Sequence, residues 1–84
     1  MSAIADPIIE LLRPVEQLCY QVAHYLLGND RDAAAASEEA LIELYLTPMF
    51  VRGSEEERRQ LAKAAAMRTA LKLAGQSIRE GAAK

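Results

Sequence analysis

The stretch "YLLGNDRDAAAASEEALIELYLTPMFVRG", Tyr25–Gly53, decides the fold. It holds a helix end, a tight turn, a whole helix and a helix break. Leu26 and Leu27 close an apolar run, and Gly28 is free to take the left-handed conformation that ends helices. Asp30 or Asp32 can then cap a second helix over Arg31–Leu46. Ala33, Ala36, Ala40, Leu41, Leu44 and Tyr45 recur along one side of it at helical spacing. Thr47–Pro48 stops this helix, and Gly53 turns the chain again. The run Ala33–Ala36 has two readings. It is either plain high-propensity helix or a smooth surface on which another helix packs closely.

Toward the N-terminus, "ADPIIELL" reads as a helix start, with Asp6 as cap and Pro7 at the first helical position. Ile8, Leu11, Leu12, Val15, Leu18, Cys19, Val22 and Leu26 form its apolar stripe. Pro14 lies inside that stripe and predicts a kink or a split near Arg13. Toward the C-terminus, Ser54 and Glu57 have the spacing of a capping box, with Glu55 and Glu56 at the positive end of the helix dipole. Leu61, Ala64, Ala65, Leu71, Ala74 and Ile78 are the predicted buried side of this last helix. Gly75 weakens it, and "EGAAK" is expected to fray.

These signals predict one all-α domain over residues 6–80, with flexible ends at 1–5 and 81–84. It is a small bundle of three helices, or four if Pro14 divides the first. A chain of 84 residues buries only a modest core. No repeat and no strand pattern is present.

Composition excludes several functions. The net charge of −2 argues against a general nucleic-acid binder. The charge is uneven, with an acidic front half and a mildly basic rear beyond Arg52. One cysteine, Cys19, permits no internal disulfide and fits a reducing cytoplasm. No apolar run reaches the roughly 18 residues of a membrane span, and "MSAIADP" lacks the regions of a signal peptide. Cys19 falls on an apolar stripe, which suits a buried small residue rather than a catalytic thiol. His24, the single histidine, falls with Glu10, Gln17 and Gln21 on the polar side of the first helix. No nucleophile–base spacing, phosphate loop or paired-ligand motif occurs, so neither catalysis nor a cofactor nor a metal is expected.

The order of features from Glu10 to Gly75 resembles region 2 of bacterial RNA polymerase sigma factors, especially the short extracytoplasmic-function type. Pro14, Leu26-Leu27-Gly28, Asp32-Ala33, Glu39, Phe50, Arg52-Gly53 and Leu61 stand in the family's sequence of landmarks. The resemblance implies a helical fold whose second helix grips the clamp coiled coil of the polymerase's large subunit. It also implies a last helix that reads promoter DNA.

Departures from the family pattern bear on both roles. The acidic pair of the gripping helix is replaced by Ala34 and Ala35, and its Gln by Glu38; Glu39 is kept. A carboxylate can pair with a basic partner, and a methyl group cannot. The family's Trp falls at Gln60 and its Asn near Met67, which offers an extruded base no hydrogen bond. These 84 residues hold no counterpart of region 4, the family's second DNA-binding domain.

The resulting expectation is a sigma-region-2-like module that binds protein without reading a promoter. Its partner would be the polymerase clamp, a sigma-like subunit or an anti-sigma factor, met through Asp32, Ala35, Glu38, Glu39 and Glu43. Arg59, Lys63, Arg68 and Lys72 form either a solvated face or a weak anionic-ligand patch. Without interleaved aromatics, specific nucleic-acid binding is not expected. Met49, Phe50 and Val51 plug the core or dock a partner. The alternative is a self-associating module that uses the Ala33–Ala36 and Ala64–Ala66 faces and shares only the fold.

Overall fold

Asp6 opens the first helix through its side chain, which accepts from the Ile8 N–H at 2.9 Å, and Pro7 takes the first helical position. The structure, a computed structural model, describes residues 6–82, with side chains through residue 76. Helix α1 spans Pro7–Leu27, α2 spans Asp30–Tyr45, α3 is the single turn Pro48–Arg52, and α4 spans Glu55–Ala82. The described residues form an all-α bundle with no strand. Helices α1, α2 and α4 pack against each other pairwise, and α3 caps one end. Among the described residues no helix is long and apolar enough to cross a membrane.

The breaks fall where the sequence places them, with corrected details. Gly28 is left-handed at φ 78°, and its N–H bonds the His24 carbonyl at 2.8 Å. The α2 cap is Asn29, not Asp30 or Asp32. Its side-chain oxygen accepts from the Asp32 N–H at 2.8 Å, and its amide donates to the Asp32 carboxylate at 3.0 Å. Asp32 stands at the third helical position, where a carboxylate reaches back to the cap. The Ser54–Glu57 capping box forms in both directions, at 2.7 and 3.1 Å.

Pro14 does not divide α1, which is continuous from Pro7 to Leu27. Proline removes the donor that the Glu10 carbonyl would have used. Glu10 and Pro14 are both exposed, so water can replace it. The fourth helix comes instead from "PMFVR", where Pro48 again occupies a first helical position. Residues 1–5, expected to be flexible, lie outside the described residues. At the other end α4 continues through Gly75 and reaches Ala82, and residues 83–84 lie outside the described residues.

The core has two tiers. Leu12, Val15, Cys19, Leu44 and Phe50 fill the first with Ala40, Ala62, Ala65 and Ala66. The second is made of Ala23, Ala33, Ala36 and Ala70, flanked by Tyr20, Leu27 and Leu73. Alanine brings helix backbones close enough for side chains to reach across. Thr69 Oγ1 lies 2.9 Å from the Ala36 carbonyl, and Cys19 Sγ lies 3.7 Å from the Ala62 carbonyl.

The buried side of α4 differs from the predicted one. Ala62, Ala65, Ala66, Thr69 and Ala70 face inward, whereas Ala64 and Leu71 are exposed. Leu61 and Ala74 are half-buried, and the Ile78 side chain lies outside the described set. A stripe traced through apolar residues alone skips Thr69 and so rotates part of a turn away from the true one. The Met49–Val51 cluster also divides: Phe50 is fully buried, while Met49 and Val51 face solvent.

Candidate protein-docking site

The alanine run of α2 splits by helical geometry. Ala33 and Ala36 belong to the core, and Ala34 and Ala35 face solvent. Ala65 and Ala66 are also internal. The continuous alanine faces expected for self-association are therefore occupied inside the molecule, except for Ala34, Ala35 and Ala64.

The acidic positions divide as well. Glu39 pairs with Lys72 of α4 at 3.2 Å, and Glu43 pairs with Arg68 at 2.5 Å. Two of the four predicted partner-binding carboxylates and half of the predicted cationic patch thus form one intramolecular seam between α2 and α4. Asp32 is engaged by the Asn29 cap. Glu38 is exposed and, among the described residues, has no ion-pair partner. Arg59 and Lys63 are exposed elsewhere on α4, away from that seam, so the four cations do not act as one patch.

Ile42 and Leu46 stand beside these charges. They are 58% and 71% exposed, high values for such side chains on a helix whose core face is already filled. With Ala35 and Glu38 they run along the outer side of α2 at spacings of three, four and four residues. On the side toward α1 they border a groove of about 390 Å³. Ile9 and Leu12 of α1 face Leu41, Ile42 and Leu46 of α2 across it, and the Tyr45 ring closes one part. Glu16 from α1 and Glu38 from α2 are the carboxylates of its lining, which includes no lysine or arginine.

Sequence periodicity did not single out Ile9 or Leu46. Ile8 and Ile9 are adjacent, so one of them must face outward on a helix. That was the available signal. The Tyr45 hydroxyl donates to Asp6 at 2.6 Å, which fixes the α2 end against the α1 start. This bond holds the Asp6 carboxyl below its ordinary pKa and raises that of Tyr45.

His24 Nε2 lies 3.0 Å from Asp30, which also accepts from the Tyr20 hydroxyl at 2.8 Å. His24 is half-buried near the C-terminal end of α1. Burial pushes the Cys19 thiol up to about 11, which suppresses thiolate chemistry. Among the described residues, no group of three or more His, Cys, Asp or Glu is placed to hold a metal. Comparison with family models, curated proteins and solved structures found no match.

Proposed function

We propose that this chain is a non-catalytic, sigma-region-2-like protein-binding module in transcription regulation. It binds RNA polymerase, a sigma-like subunit or an anti-sigma factor in the cytoplasm, without reading a promoter itself. One observation carries the reading. α2 has a complete core face and still presents Ala35, Glu38, Ile42 and Leu46 to solvent. Exposed large apolar side chains grouped beside a free charge are a feature of docking surfaces.

The intramolecular ion pairs refine the expected contact. Glu39 and Glu43 are partly neutralised by Lys72 and Arg68, so Glu38 and the apolar stripe supply most of the affinity. Pull-down with polymerase core tests the clamp version. Ile42→Glu should abolish capture, and Glu39→Lys should weaken it less. Failure of the unaltered chain to bind core removes that version.

A further inference from the structure

We propose that the α1–α2 groove takes a single amphipathic helix from a protein partner, with its apolar side inward and Lys or Arg along both edges. This rests on the reading of the chain as a protein-binding module and specifies the partner's chemistry. Helix-in-groove recognition needs an apolar trough whose walls are already held apart by the fold. Here α1 supplies Ile9 and Leu12, and α2 supplies Leu41, Ile42 and Leu46. Ile9, Ile42 and Leu46 are 42%, 58% and 71% exposed, so an inserted side chain gains contacts without displacing native ones. The Tyr45–Asp6 bond braces the two helices at this end before any ligand arrives.

Size and charge select the occupant. About 390 Å³ lies low in the roughly 300–1,000 Å³ span of binding clefts, which suits one row of side chains. One carboxylate comes from each wall, Glu16 on α1 and Glu38 on α2. A basic helix lying along the trough meets a carboxylate on either side, whereas an acidic one is repelled by both. Arg68 and Lys72 lie beyond Ile42 and Leu46 and are already paired with Glu43 and Glu39, and Arg13, next to Leu12 on α1, is paired with Glu10.

A displayed library of randomised helical peptides, selected on the full chain, tests the proposal. Selected peptides should repeat apolar residues at helical spacing, with Lys or Arg on both flanks. In calorimetric titration, Ile9→Lys should weaken their binding at least about tenfold. The Glu16→Lys, Glu38→Lys double variant should lose the basic peptides and gain charge-reversed ones. Circular dichroism confirms that each variant is folded.

The proposal is overturned if no groove-dependent peptide emerges, or if the winners are acidic. It is also overturned if sedimentation shows a dimer that Leu46→Lys dissolves, because a second copy is then the occupant. Capture of polymerase core that ignores Ile9→Lys overturns the groove proposal and leaves the module reading standing. Basic peptides that need Ile9, with no capture of core, support the groove and remove only the polymerase version.

Discussion

The Tyr45 hydroxyl donates to the Asp6 carboxylate, so the residue that caps α1 also receives the last residue of α2. The same side chain accepts the Ile8 N–H through its other oxygen. One carboxylate thereby sets the start of one helix and the docking of another, 39 residues away. Both bonds are stronger to the ionised carboxylate, and the Tyr45 bond is the larger cause of its lowered pKa.

Acid stability should follow from this. A carboxyl whose folded pKa is depressed contributes stability that is present above its unfolded pKa. That contribution is lost as pH falls through the folded value, below the usual carboxylate range. Tyr45→Phe should lower the melting temperature at pH 7 and flatten its decline in acid, as read by thermal denaturation from pH 7 to 2. An unchanged acid limb would show that the bond is not maintained in solution. At the alkaline end the sign reverses. The raised Tyr45 pKa contributes stability that is lost once pH rises through it.

Phe50 should be the least replaceable side chain. It is the largest fully buried side chain among the described residues, and α3 has no other buried residue. Truncating a buried phenylalanine costs about 3–5 kcal/mol. A small domain has only about 5–15 kcal/mol in total. Phe50→Ala should leave much of the chain unfolded in urea titration, while Met49→Ala should fall within about 0.5 kcal/mol of the unaltered chain.

The alanine run makes a graded prediction. Ala36→Leu and Ala70→Leu insert bulk where helix backbones approach closely, and overpacking costs about 1–3 kcal/mol. Ala35→Leu faces solvent and should change stability by less than about 0.5 kcal/mol. A denaturant series on the three variants checks this order. If Ala35→Leu proves as damaging as Ala36→Leu, the phase of α2 is wrong.

Much of the fold was legible because its punctuation is local. Asp6-Pro7, Gly28, Thr47-Pro48 and the Ser54–Glu57 box each act within a few residues, so sequence alone places the breaks. The split that Pro14 could have caused did not occur, because its penalty depends on whether the orphaned carbonyl is wet, which is a tertiary fact. The phase of α4 misled because a threonine entered the core, where the Ala36 carbonyl across the interface and the Ala66 carbonyl of its own helix stand within reach of its hydroxyl. The candidate site was half visible. Glu38 could be named, but pairing of Glu39 and Glu43 with α4 depends on interhelical registry. The groove needed Ile9 and Leu46 brought together from positions 37 residues apart, which no periodicity within one helix reveals.

The α2–α4 seam should tune binding more than stability. Both pairs are more than a third exposed, and such pairs contribute about 0.2–1 kcal/mol by double-mutant cycle. Glu43→Ala with Arg68→Ala, and Glu39→Ala with Lys72→Ala, should each couple within that range. The coupling should fade in 1 M salt, where the screening length is about 3 Å. Binding responds differently, because removing a cation frees its carboxylate. Arg68→Ala and Lys72→Ala should each tighten capture of a basic helical partner and steepen its salt dependence. Fluorescence anisotropy at two ionic strengths reads both effects. Weaker capture by Arg68→Ala would mean that the arginine itself contacts the partner and that the seam is part of the interface.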